Sequence, residues 1–146
     1  MDVRRATADD STWLLAQARE FEKFAGYRRS LVGTDEKAMA FLDALVREHV
    51  VLVAHTDEVR AGFIAGYLAP HPFNPEITVL SEVLWWVPEQ HRHSRAAAAL
   101  LSRFETLGRA QADWIILTLE HDSPIRAAHM TKRGFREVER AFLLEV

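Results

Sequence analysis

Two stretches of the chain place apolar residues at helical spacing, and most of the others read as strands. Leu14, Ala18, Phe21 and Ala25 fall three or four apart, with Leu15 widening the stripe. That pattern predicts a helix running to about Phe24, ended by Gly26. Thr7, Asp9, Asp10 and Ser11 are its candidate caps. Ala38, Phe41, Leu42, Leu45 and Val46 form a second stripe, opened by Thr34, Asp35 and Glu36. A short strand over Asp2–Thr7 precedes the first helix. Val50–His55 and Val59–Ala69 flank the turn Thr56-Asp57-Glu58 and read as an antiparallel hairpin. Pro70, Pro72, Asn74 and Pro75 mark a loop. The next strand runs from Glu76 or Ile77 to Val87, where Pro88 removes a ladder donor.

An alanine-rich helix follows, from about Ser94 to Ala110. Trp114–Glu120 predicts a buried strand, because Ile115, Ile116, Leu117 and Leu119 are apolar on both faces. Ser123 is placed to cap a fourth helix, with Pro124 at its first position and Gly134 at its close. Phe135–Val146 predicts a last strand, bent at Glu139–Arg140. The order is strand, two helices, three strands, helix, strand, helix, strand, with no repeat, linker or low-complexity tract. One domain, 1–146, accounts for it.

Composition narrows the classes of function. The 146 residues are 49% apolar and 27% charged, ordinary for a globular protein. A net charge of −3 does not favour nucleic acid, and the basic cluster at 91–95 has the footprint of a phosphate rather than a duplex. Trp85 and Trp86 are strand neighbours facing opposite ways, so they make no stacking platform. There is no cysteine, which removes thiolate catalysis, disulfides and cysteine-bound zinc. His91 with His93, and Glu120-His121-Asp122, do not complete a tetrahedral set, so no metal is expected. No apolar run reaches a membrane span and the first residues lack the apolar core of a signal peptide. The expected setting is cytoplasmic.

The run from Ser81 to Leu101 carries the chemistry. A strand ends at Pro88, a cationic turn follows, and a helix begins. The first N–H groups of a helix lack intrahelical partners, and its dipole adds positive potential, so the turn is suited to an anion. Arg92 and Arg95 add full charges. The sequence Arg92-His-Ser-Arg-Ala-Ala97, five residues after Val87, resembles the acetyl-CoA loop of the GNAT N-acetyltransferases, Arg/Gln-x-x-Gly-x-Gly/Ala. The Arg-x-Ser-Arg-Ala run is similar to the phage-type branch. Arg95 departs from the pattern, standing where the first glycine usually is.

The resemblance implies an α/β GNAT acyl-CoA N-acyltransferase fold, a mixed central sheet of six to seven strands flanked by four helices. It also implies acetyl-CoA as co-substrate. The pantetheine arm would pair with Trp85, Trp86 and Val87. The pyrophosphate would lie on the turn Arg92, His93, Ser94, Arg95, Ala96 and Ala97, with Ser123 at the place of a CoA-side asparagine. A small-molecule or peptide amine would be the acceptor. Glu82 fills the place of the general base. Simple alternation puts it on one face with Leu84 and Trp86, where partial burial would raise its pKa. The usual acid, a tyrosine four residues before Gly134-Phe135, is replaced by Met130, leaving Tyr67, His129 and water as substitutes. Many members of the family dimerise, and a sheet edge left open beyond the sixth strand would need cover, so a homodimer is expected. Two other classes remain: a non-catalytic acyl-CoA-binding or regulatory module on the same fold, and a homo-oligomeric interaction protein with no cofactor.

Overall fold

A computed structural model describes residues 1–146. Five strands form one sheet in the order of the chain: β1 (Asp2–Arg5), β2 (Val50–Thr56), β3 (Val59–Pro70), β4 (Thr78–Trp86) and β5 (Trp114–Ile116). The first three pairings are antiparallel and β4–β5 is parallel. Helices α1 (Ser11–Ala25) and α2 (Asp35–Glu48) cover one face. Helix α3 (Ala96–Gln111) covers the other, and α4 (Ala127–Lys132) follows β5.

Two apolar clusters sit on the two sides of the sheet. Leu14, Phe21, Leu42 and Leu45 from the first two helices pack on Val51, Val53, Phe63 and Trp86. Leu100 and Phe104 of α3 pack on Leu52, Ile64 and Leu80. β2 therefore reads as a continuous apolar run, because it is buried on both faces. Gly66 is required where β3 passes under α3: an added Cβ would lie 2.7 Å from the Phe104 ring and 2.9 Å from the Ser81 carbonyl oxygen. Gly26, at φ 71°, ends α1 by returning its N–H to Glu22. The N-terminal corner is tied by Asp10, which is fully buried and accepts from Arg4 at 2.7 and 2.9 Å, Arg60 at 2.8 Å and the Thr7 N–H at 2.8 Å.

The structure corrects the sequence reading toward the C-terminus. The sheet has five strands, not six to seven, and 135–146 forms no strand. Val138, Phe142, Leu143, Leu144 and Val146 are exposed there, and the segment is held mainly by Glu145, which accepts from the Arg28 backbone N–H at 2.9 Å and from its side chain at 3.1 Å. β5 stops at Ile116 rather than Glu120, and Trp114 and Ile116 are exposed rather than buried. A long apolar run reads as a two-sided strand only when both faces are covered, and here α3 covers one. Helix α4 begins at Ala127 behind Arg126, so Ser123 is not its cap and Pro124 is not its first residue. The Ser123 hydroxyl instead accepts from the Ile125 N–H at 3.2 Å, closing a small turn. Helix α3 starts at Ala96, two residues later than its alanine-rich appearance suggests.

Candidate active site

β4 and β5 pair over three rungs only, Val79–Ser81 against Trp114–Ile116. Beyond Ser81 the two strands separate. From Glu82 onward β4 is hydrogen-bonded to β3 on one side and presents an open backbone edge on the other. The separation begins where β4 carries a bulge. Glu82 stands opposite Gly66, and Leu84 opposite Ala65, so Val83 is an extra residue.

The bulge overturns the expected facing of Glu82. Directly paired residues share a face. Gly66 faces Phe104 of α3, while Leu84 and Trp86 pack toward α1 and α2. Glu82 therefore lies on the α3 side, not with Leu84 and Trp86. Nothing in the alternation of letters marks an inserted residue, so only the register reveals it. Trp85 and Trp86 do face opposite ways, Trp85 against the α3 cluster and Trp86 against the α1 cluster.

Glu82 is half-buried and reaches across the gap, where its carboxylate accepts from the Thr118 N–H at 3.2 Å. Burial pushes its pKa up to about 7. The Thr118 N–H pulls in the opposite direction by stabilising the anion, and the nearby negative charge of Glu120 adds to the rise. A carboxylate with its pKa near 7 can take a proton at neutral pH and release it again. The contact to Thr118 is the part of this environment that sequence reasoning missed. It depends on where β5 ends, which the apolar run to Glu120 conceals.

The turn after β4 follows the expected outline with specific corrections. Pro88 leads into a 3-10 turn over Glu89–His91. Ser94 is already committed: its hydroxyl donates to the His91 carbonyl at 2.6 Å and accepts from the Ala96 N–H at 3.2 Å. Its own N–H donates to His91 as well, at 3.0 Å. The N–H groups of His93, Arg95, Ala97 and Ala98 have no hydrogen-bond partner, and they gather at the start of α3. Arg95 has φ −85° and ψ 8°, which any residue adopts, so the backbone does not need glycine there. Its guanidinium is exposed and makes no ion pair with Asp or Glu.

Arg92 is engaged elsewhere. Its Nε donates to the Val87 carbonyl at 3.2 Å, and its guanidinium carbon lies 5.1 Å from the Trp86 ring centre and 5.6 Å from that of Phe24. It must turn to meet an anion at the head of α3. The Ser123 hydroxyl makes no hydrogen bond to this turn.

Met130 is buried, so the place of the usual tyrosine holds a thioether with no proton to give. Of the substitutes, His129 accepts from the Arg126 N–H through Nδ1 at 3.3 Å. Tyr67 pairs with Ser81 on the rung next to Gly66–Glu82, half-exposed, its ring against His49 and Phe41.

No family model and no curated protein matches the sequence. Solved structures match its fold closely. A probable acetyltransferase superposes with a TM-score of 0.77 at 22% identity, over 100% of this chain and 98% of the other. A predicted acetyltransferase with acetyl-CoA from Clostridium acetobutylicum gives 0.76 at 14%, over 99% and 95%. A transcriptional regulator from Bacillus halodurans C-125 gives 0.76 at 13%, over 99% of each chain. The chain thus has the mixed α/β fold of the GNAT acetyltransferases. Shared architecture does not by itself assign chemistry.

Proposed function

We propose that this protein is an N-acetyltransferase that moves an acetyl group from acetyl-CoA to a primary amine by direct attack. The observation that carries the reading is Glu82: a carboxylate with its pKa near 7, set at the point where β4 and β5 part, beside an open strand edge. In this reading the pantetheine arm lies along the free edge of β4 at Trp85, Trp86 and Val87. The pyrophosphate meets the unpaired N–H groups of His93, Arg95, Ala97 and Ala98, with the Arg95 guanidinium over it and Arg92 turning to join.

The chemistry balances without an enzyme-bound intermediate. An amine reaches the site as its ammonium. Glu82 takes one proton, directly or through a water, and the free nitrogen lone pair attacks the thioester carbon. The tetrahedral adduct expels the CoA sulfur with the electron pair of the broken C–S bond. The adduct nitrogen still carries a second proton, which it loses to solvent or, through the Tyr67 hydroxyl, to the departing thiolate, leaving a neutral amide and the CoA thiol. With no cysteine in the chain, a thioester-linked acyl-enzyme has no carrier. Positioning in the gap supplies the remaining acceleration.

The test is a thiol-release assay with acetyl-CoA and a panel of amines, run beside calorimetry of acetyl-CoA binding. Turnover with at least one amine is expected. Glu82→Gln should lower it by roughly 10²-fold or more while leaving acetyl-CoA affinity nearly unchanged. Wild-type turnover in Glu82→Gln would remove Glu82 from the mechanism.

A second reading has its own support. Met130 stands at the place of the acid, and the fold is shared with a transcriptional regulator. A non-catalytic acyl-CoA-binding module would bind acetyl-CoA in the calorimeter and release no thiol with any amine.

A further inference from the structure

A pocket of about 470 Å³ lies between the second half of α1 and the end of β4. Gln17, Glu20, Phe24, Trp86, Glu89 and Arg92 are in its wall. It is distinct from the gap at Glu82. Glu82 and Trp86 pair with Gly66 and Phe63, three residues apart on β3, about 10 Å at the usual rise. The bulge also puts the two on opposite faces of the sheet.

The wall is chemically unbalanced. Gln17 Oε1 and Trp86 Nε1 are buried and have no hydrogen-bond partner. One is an acceptor and the other a donor, and both lie beneath the surface of the wall. Glu89 has no ion-pair partner, and Glu20 is held only by an exposed pair with Lys23 at 2.9 Å. Two carboxylates and two aromatic rings describe a site for a cation. A cation already lies on its aromatic wall. The Arg92 guanidinium lies within cation–π distance of both rings, 5.1 Å from Trp86 and 5.6 Å from Phe24. It forms no ion pair with Glu20 or Glu89, so aromatic contact and one bond to the Val87 carbonyl hold it there.

We propose that this pocket is a binding site for a small organic cation, an alkylguanidinium or alkylammonium, and that the Arg92 side chain, lying on its aromatic wall, competes with that cation for the rings. The Glu20 and Glu89 carboxylates accept from the ligand, and the rings of Phe24 and Trp86 contact its charge. Arg92 is also the first residue of the turn read above as the phosphate site, and one guanidinium cannot serve both. An anion at the head of α3 therefore frees the rings of Phe24 and Trp86, and anion and cation binding support each other by linkage. That coupling rests on the acetyl-CoA reading; the pocket itself does not. The cation held here is not the reacting amine, because Glu82 is out of its reach.

Agmatine, which carries the same head group as Arg92, is the probe. Its binding is measured by calorimetry to wild type, to Arg92→Met and to Arg92→Gln, with thermal melts confirming that each is folded. Arg92→Met keeps much of the stem and removes the competing charge. Agmatine should bind both variants at least tenfold more tightly than wild type, and Phe24→Ala added to Arg92→Met should abolish the gain. Coenzyme A should raise agmatine affinity in wild type and leave it unchanged in Arg92→Met. Failure of both Arg92 variants to bind agmatine more tightly overturns the pocket, whatever coenzyme A does. A gain in those variants with no effect of coenzyme A on wild type upholds the pocket and counts against the phosphate role of Arg92.

Discussion

Glu82 should make the folded protein less stable as the pH rises, and removing its charge should reverse that. The unfolded chain releases the Glu82 proton near the ordinary value of 4.5, whereas the folded protein holds it up to about 7. Between those values the native state binds more protons than the unfolded state. Stability therefore falls with rising pH across that window and is level above it. The difference of about 2.5 in pKa, at about 1.4 kcal/mol for each unit of pH, costs the wild type about 3 kcal/mol by pH 8. Glutamine keeps the shape, can still accept from the Thr118 N–H, and does not ionise. Glu82→Gln should thus match wild type near pH 4 and exceed it by about 2–3 kcal/mol at pH 8. Urea unfolding at pH 4, 6 and 8 reads this directly and needs neither acetyl-CoA nor an acceptor. A gain of equal size at all three pH values, or a loss at pH 8, would refute the argument that burial raises this carboxyl.

Other perturbations follow from single contacts. Asp10→Asn should cost about 1–3 kcal/mol in urea unfolding, because the carboxylate is buried while its partners Arg4 and Arg60 keep part of their hydration. Arg4 and the other donors hold the Asp10 carboxyl well below the usual carboxylate range, so its contribution should be intact above the ordinary 3.8 and fade as the pH falls below it. Gly66→Ala should cost about 1–3 kcal/mol by driving a Cβ into Phe104, seen as a lowered melting temperature. Arg92→Ala should weaken acetyl-CoA binding by about 1–3 kcal/mol in calorimetry if its guanidinium turns onto a phosphate. We also expect a homodimer, since the β5 edge and the apolar residues of 135–146 are exposed together; a clean monomer by sedimentation equilibrium at about 50 µM would refute it.

The sequence was most informative where one local rule decides the outcome. The stripes Leu14–Ala25 and Ala38–Val46 became helices because each apolar face had a sheet to cover. Gly26, Thr34 and Pro88 marked ends that depend on φ, a cap and a missing donor. The reading failed where the outcome depends on a neighbour. Phe135–Val146 has a strand's letters, but no strand bonds to it, and β propensity alone does not hold a strand at a sheet edge. The run from Trp114 to Glu120 promised two buried faces, and only one is covered. Ser123 looked like a cap beside a proline, yet the helix waits for Arg126.

At the site the same division holds, and it bears on which residue to trust. Glu82 was legible as a carboxylate among apolar neighbours on a strand. Its facing was not, because the bulge at Val83 shifts the register by one residue without any mark in the letters. The shift matters chemically. On the α1 side Glu82 would share its face with Trp86 and lie toward the pocket that Arg92 lines. On the α3 side it reaches across the parting strands to Thr118 instead. A structural role offers no return for about 3 kcal/mol of lost stability at pH 8, since an uncharged residue of the same shape would avoid the cost. A catalytic role does, because a base must be partly desolvated to titrate near neutrality. The stability and activity of Glu82→Gln should therefore move in opposite directions, and that pairing separates a working base from a buried acid tolerated by chance.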